Sequence, residues 1–395
     1  MPFFKTLLFS FAAATLLSAE NPNNYKSELE AFQQYKQVQK KSFQIEKNSF
    51  ETYKKAQEKA FTDYQKELGI FWEKPKLSNK KEWITYTTDK KTRTDVNFEQ
   101  EKITIETIAD SEQEAQENIH IALAKAVTQD TKSAYESDPL QQRINQIQKP
   151  KEVVDAQPDA KPILKNIVFT TSPTKEDVSK YVLNNTTNIL SKDSSKQKGK
   201  KIYFVDVQLP KNTTYKRSQD YYQEVLKNSQ KQDISLHLIF AIIHSESSYN
   251  PMARSHIPAY GLMQIVPKTA GIDAYQYLYN KKRLLSSSYL YNSENNIEIG
   301  SAYLHILYYK YLRAIKNPQS KLYCTVAAYN TGAGNVARAF VGTNDVNAAA
   351  RIINELTPDE VYRRLLRDLK YNEPKVYLQR VTERKKVYEK IYQQS

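Results

Sequence analysis

The sequence predicts an α+β N-terminal domain followed by an all-α domain, in a chain that is mostly helical overall. Three observations lead there. Residues 82–109 hold segments that alternate with a period of two and favour β-branched side chains. Beyond about Thr213 such segments stop. Ahead of both lies a polar stretch with aromatic residues at helical spacing. Period-two alternation marks half-buried strands, whereas recurrence near 3.6 marks helices.

Residues 1–19 have the layout of a secretory signal peptide. Lys5 precedes the apolar run LLFSFAAATLL, and Ala19 supplies a small residue at the cut. The run is too short to span a bilayer comfortably, so export into the periplasm is expected. No cysteine follows the apolar run, so no lipid anchor is expected. The only cysteine is Cys324, which excludes an intramolecular disulfide and a cysteine-rich zinc site. The five histidines lack metal-ligand spacing, and no cofactor is expected.

The formal charge of +14 would attract nucleic acid, anionic lipid or an anionic cell-wall polymer. No zinc-finger, homeodomain or RNA-recognition pattern is present, and with export this argues against nucleic acid as a partner.

Residues 20–71 read as one long amphipathic helix. Tyr25, Phe43 and Phe61 are spaced by eighteen, as are Phe32, Phe50 and Leu68, and Tyr35, Tyr53 and Phe71. Eighteen residues is about five turns, so all nine share one stripe. Such a stripe packs on its own protein or on a second copy, or serves a dedicated partner or a membrane surface.

Residues 72–212 read as a small α+β accessory domain. WITYTTD, TRTDVNF and EKITIETIA are three strands. Ser111 and Glu114 form a capping box for a helix over 112–129. A proline-bearing polar stretch, 135–162, reads as a long surface loop. A helix over 175–190, a charged turn and the strand YFVDVQL complete the domain. No acids, histidines or cysteines cluster there as a catalytic centre would require.

Residues 213–395 read as helices over 217–232, 235–245, 295–316 and 322–329. Thr357–Pro358, with Glu360, opens another through a capping box and a proline at its first position. Pro374 begins the last, which runs to about Tyr392.

The chemistry concentrates at one helix end. ISLHLIFAII, apolar on nearly every side, belongs in a core, yet Glu246 closes it. Burial and the negative end of the helix dipole both disfavour a charged carboxylate, so the group is suited to donate a proton near neutral pH. Pro251 stops the helix, and Ser247 and Ser248 can satisfy its frayed end. Gly261 opens GLMQ, where a residue without a side chain would let a ligand approach backbone closely. Gln264 both donates and accepts hydrogen bonds, Met263 offers an apolar wall, and Tyr329 and Asn330 stand just before a glycine-rich turn.

ESSYNPMARS, GLMQIVPKTAG and AAYNTGAGNV resemble, in order and spacing, three linked motifs of lytic transglycosylases related to goose-type lysozyme. EPKVYLQRV is similar to a fourth, with Tyr377 at its tyrosine position and Pro374 where threonine is usual. FWEKPKLSNKKEWITYTTDKKTRTDVNFEQEKITIETI and YFVDVQLPKNTTYKRSQDYY are similar to the extra N-terminal domain of the membrane-bound lytic murein transglycosylase C group. The likeness extends over roughly residues 70–395 and makes other cell-wall enzymes candidate partners of the long helix. Two departures stand out. The group's lipidated cysteine is missing, and the 25–71 helix looks like an addition.

The resemblance implies a lysozyme-like catalytic domain that cleaves the β-1,4 bond between N-acetylmuramic acid and N-acetylglucosamine in peptidoglycan glycan strands. Glu246 would be the single general acid and base, giving 1,6-anhydromuramoyl ends with help from the substrate's own acetamido group. Ser255, Met263, Gln264, Tyr329, Asn330 and Tyr377 would bind substrate, and Tyr329 or Tyr377 would orient Glu246 by a hydrogen bond. No Asp or Glu lies between Glu246 and Asp273, which agrees with a one-carboxylate mechanism. Two alternatives stay open: a hydrolytic muramidase of the same fold, and a non-catalytic cell-wall-binding scaffold.

Overall fold

The computed structural model describes residues 22–192, 196–197, 199–211, 213–255 and 258–392, with side chains chiefly from residue 48 onward. The signal-peptide segment lies outside the described residues. Contacts divide the chain into two compact units, one of residues up to 62 with 143–152, the other of 63–142 with 153–395.

The first unit is dominated by a single helix, Pro22–Leu68, whose last turn belongs to the second. It stops three residues short of the expected end. Gly69 donates its amide to the Gln65 carbonyl and Trp72 to the Leu68 carbonyl, so the chain leaves the helix there and folds Trp72 inward.

The second unit opens with an antiparallel sheet of β1 (Glu82–Tyr86), β2 (Thr92–Asn97), β3 (Lys102–Ala109), β5 (Leu190–Lys192) and β6 (Lys201–Gln208), in the order β1-β2-β3-β6-β5. β4 (Val153–Val154) lies outside it. The helix Glu112–Thr128 covers one face, burying Ile119 and Leu123 with Ile103 and Ile105. Its Ser111 cap accepts the Glu114 amide, but the Glu114 carboxylate accepts from Asp110 rather than from Ser111. Charged groups are buried in β2 and β3. Arg93 meets Glu106 at 2.5 Å with Lys192 on the second oxygen at 2.8 Å, and Trp72 lies under the guanidinium.

The expected loop over 135–162 is largely structured. It holds the end of the helix Thr131–Ser137, then the helix Pro139–Gln146, then β4. β4 pairs in parallel with β7 (Leu284–Leu285), a strand in the half where none was expected. The polar residues that follow β4 bond the residues at the starts of two helices, Ser287–Tyr291 and Ser293–His305. Asp155 accepts from Ser286 and Ser288, Asp159 from Ser293, and the Gln157 carbonyl from Asn292. Lys161 then reaches Glu224 at 2.6 Å. Residues 153–161 thus form a strap across the helical half. Its polarity looks solvated only while its partners, some 130 residues away, are unknown.

In the helical half the apolar helix Leu236–Ser247 lies at the centre, every residue from Leu238 to Ile243 buried. It packs against the C-terminal helix Asn372–Tyr392 through Phe240, Tyr388 and Tyr392. The helix expected over 217–232 is two, Thr213–Asp220 and Tyr222–Gln232. They break at Tyr221, which is buried against the stacked ring of Tyr249 and the Lys161 ammonium. The helix expected over 295–316 starts at Ser293, and after His305 widens into a π-helical stretch, Ile306–Tyr311. That stretch directs Tyr309 to Asp233 and Tyr311 to Asp273. The helix expected to reach residue 190 ends at Asn185, because Leu190 is spent on β5. Four short helices, Ile272–Tyr279, Ser287–Tyr291, Ala333–Val341 and Val346–Ile353, add to those expected from the sequence.

Candidate active site

Glu246 sits one residue before the end of its helix and is 5% exposed. The chain turns sharply just after it. Ser248 and Tyr249 both take left-handed backbone conformations, Ser247 Oγ donates to the Ile243 carbonyl, and the Tyr249 amide donates back to that Oγ. Asn250 Oδ1 then accepts the Met252 amide. Serine and asparagine suit these positions because short polar side chains satisfy the backbone groups that a helix end leaves open.

Two cations close the same end. Lys81 Nζ donates to the carbonyls of His244 and Ser245, each at 3.0 Å, and to Ser248 Oγ at 2.9 Å. Arg384 donates to the His244 carbonyl at 2.8 Å. The negative helix terminus expected to disfavour Glu246's charge is therefore neutralised. Burial remains, and it pushes the Glu246 carboxyl above the ordinary carboxylate range against the opposing pull of Lys80, Tyr377 and Lys81.

Lys80 has its Nζ 3.5 Å from Glu246 Oε2 and 3.7 Å from Glu373 Oε1. Both lysines belong to the segment ahead of β1, and sequence reading assigned neither to the site. Nothing in LSNKKEW distinguishes them from the many other lysines of the chain. Only the docking of that segment does: the Arg254 amide donates to the Asn79 carbonyl at 3.4 Å.

The GLMQ turn is held from behind by Asn296. Its Nδ2 donates to the carbonyls of Tyr260 and Leu290, each at 2.8 Å, and its Oδ1 accepts the Met263 amide at 2.8 Å. Gly261 has φ of 74°, and a Cβ there would fall 2.4 Å from Asn296 Nδ2. The glycine is thus required by this internal contact, not by the approach of a ligand. One helical turn on from Asn296, Gly300 leaves room for the Met263 thioether; a Cβ there would fall 2.3 Å from its sulfur. Met263 is fully buried, so its side chain builds the turn from within instead of lining an open wall. A buried Asn four residues before a Gly, in NNIEIG, was the available signal for Asn296.

Tyr329 donates to the Met263 carbonyl at 2.8 Å and so orients the turn, not Glu246, although its hydroxyl lies near enough to feel that carboxyl's charge. Tyr377 is buried beside Glu246 and favours its ionised form, but its hydroxyl falls short of a well-aligned hydrogen bond. Gln264 is nearly buried, with Nε2 folded onto the Gly261 carbonyl and Oε1 unpartnered. Ser255 Oγ accepts the Ala259 amide, closing a turn. Asn330 is half-buried next to Tyr329, near the end of the helix Pro318–Thr331. His244, two residues before Glu246, faces Tyr388 on the opposite side.

Residues 223–352 match the model of the Transglycosylase SLT domain, and residues 43–220 that of the Membrane-bound lytic murein transglycosylase C, N-terminal domain. The Membrane-bound lytic murein transglycosylase C of Serratia proteamaculans is 35% identical over 319 residues, covering 79% of this chain and 83% of the relative. The chain belongs to the membrane-bound lytic murein transglycosylase C family. The protein of the same description from Sodalis glossinidius is 42% identical over 189 residues, 48% of this chain and 52% of that one. The 70 kDa soluble lytic transglycosylase structure from Escherichia coli aligns at 25% identity over 43% of this chain and 24% of that chain, with a TM-score of 0.34. The family's N-terminal model begins at residue 43, so the second half of the long helix is part of the family pattern and not an addition to it. Membership makes this chain a lytic murein transglycosylase.

Proposed function

We propose that this chain cleaves the β-1,4 bond between N-acetylmuramic acid and N-acetylglucosamine in peptidoglycan without water, using Glu246 as its one general acid and base. The observation that supports this most directly is the buried carboxyl itself, held above its ordinary range at the end of the core helix. Glu246 gives its proton to the glycosidic oxygen as the C1–O bond breaks. The substrate's acetamido oxygen shields C1, and the Glu246 carboxylate then takes the proton of the C6 hydroxyl as that oxygen bonds to C1. A 1,6-anhydromuramoyl end results, and Glu246 is protonated again.

In the same reading Gln264, Ser255 and Asn330 face the sugar, while Met263, Tyr329 and Tyr377 hold the surfaces that meet it. Residues 20–71, 72–212 and 213–395 act as helix, accessory part and catalytic part. Among the described residues no helix is long and apolar enough to cross a membrane. We place the enzyme in the periplasm, on glycan strands.

Hydrolysis is the second reading, and Glu373 favours it. Through Lys80 the Glu246 and Glu373 carboxyl groups share one ammonium, so a second carboxyl group stands near the acid, as two-carboxylate glycosidases require. Mass spectrometry of digested sacculi separates the two: anhydro ends support the first, reducing ends the second. Glu246→Gln is expected to bind sacculi and release no muropeptides under either reading.

A further inference from the structure

Among the described residues, the cation that forms an ion pair with the Glu246 carboxyl group comes from outside the matched catalytic domain, and the proposed mechanism gives it no task. Lys80 Nζ stands 3.5 Å from Glu246 Oε2 and 3.7 Å from Glu373 Oε1. It is half-buried, whereas Glu246 is buried and Glu373, near the start of the C-terminal helix, is exposed. The backbone beneath it is pinned, since Asn79 accepts from the Arg254 amide and Lys81 is locked onto the end of the Glu246 helix.

We propose that Lys80 is a positioning residue for the general acid, supplied by the segment ahead of β1, which holds the Glu246 carboxylate during the interval after its proton has left. The inference rests on Glu246 being the proton donor. A buried carboxylate is costly without a compensating charge, and general-base action in the second half of the reaction needs that carboxylate to persist. Lys80 supplies the charge from the solvent side, where Glu373 can take the ammonium back when Glu246 is neutral. The proton thus moves without leaving an isolated charge in the core.

Glu246 is met by Lys80 and Lys81 from the segment ahead of β1, by Tyr377 from the C-terminal helix and by Tyr329 from the helix Pro318–Thr331. Lys81 is in turn met by Glu99, Arg384 and Arg380. Lys81 caps helix carbonyls, and the two tyrosines are neutral at working pH. Among the described residues Lys80 is the one whose ammonium pairs with both the Glu246 and Glu373 carboxylates.

The test compares wild type, Lys80→Arg, Lys80→Met and Glu246→Gln on purified sacculi, with kcat/KM followed from pH 4 to 9 and thermal unfolding measured alongside. Loss of the ammonium stabilises the protonated acid, so the alkaline limb of Lys80→Met is expected to move up by about one pH unit, a tenfold change in acid dissociation. Its kcat should fall about tenfold or more as the base step loses its counter-charge. Lys80→Arg should restore the wild-type limb. A role confined to packing would change Tm and leave the limb where it was. If Lys80→Met keeps the wild-type limb while Glu246→Gln is inactive, the role given to Lys80 is overturned. If Glu246→Gln retains activity, the underlying assignment of the acid fails instead.

Discussion

Gly261 and Asn296 occupy one contact: the glycine's missing side chain is the space in which the Asn296 amide sits. Around that amide three backbone groups are gathered from the GLMQ turn and the helix Ser287–Tyr291, with Tyr260 and Leu290 accepting from it and Met263 donating to it. Gly261→Ala must displace the amide and also hold alanine at φ 74°. A loss of about 3 kcal/mol or more is expected, with most activity gone. Asn296→Ala should cost about 2–4 kcal/mol by stranding buried groups. Chemical denaturation of the two variants checks this, and near-wild-type midpoints would contradict it.

Tyr329→Phe removes a single hydrogen bond, the one to the Met263 carbonyl. Stability should fall by about 1–2 kcal/mol, because the buried carbonyl loses its donor. The pH at which activity declines should stay put, since Tyr329 orients the turn and not the acid. A displaced alkaline limb would show that the hydroxyl acts on Glu246 after all.

Glu246→Gln carries a stability signature opposite to its effect on activity. The folded-state pKa of Glu246 is raised, so the unfolded chain gives up this proton more readily. The residue therefore destabilises the fold progressively as pH rises from the ordinary carboxylate pKa to its raised value, and by a constant amount above that. Gln is neutral throughout. Its Tm should exceed wild type by a few degrees at pH 8 and match it near pH 4. Equal Tm differences at both pH values would contradict the raised pKa.

For Lys81 the sign runs the other way. Burial brings its ammonium down to about 7. Between that value and the ~10.4 of an unfolded lysine, the unfolded chain binds the extra proton, so stability rises with pH across this window. Thermal unfolding of wild type and Lys81→Met at pH 6.5 and 9.5 should show wild type gaining on the variant. Parallel slopes would mean that the amine stays protonated in its site.

The core helix and its acid could be read from the sequence because their signal is local: an unbroken apolar run that ends in a glutamate. The strands of the sheet were legible for the same reason. What escaped were relations across long sequence distance. Lys80 and Lys81 are ordinary lysines until the segment ahead of β1 docks more than 160 residues downstream. Asp155 and Asp159 read as loop residues because the serines they bond are in another motif. Met263 and Gly261 were legible as important, but their reasons were not. Both serve the internal fit to Gly300 and Asn296, which no pattern within GLMQ reports.

The strap over residues 153–161 bears on where this enzyme can be cut. The two family models meet at residues 220 and 223, on either side of Tyr221. A fragment starting there would keep Glu246 and every motif of the catalytic half. It would lose the aspartates that bond the starts of the helices at Ser287 and Ser293, the strand beside Leu284, the ring of Tyr221 behind Tyr249, and both lysines at the acid. The seam in the sequence is thus no seam in the folded molecule, and the cations beside the buried Glu246 are stored upstream of it.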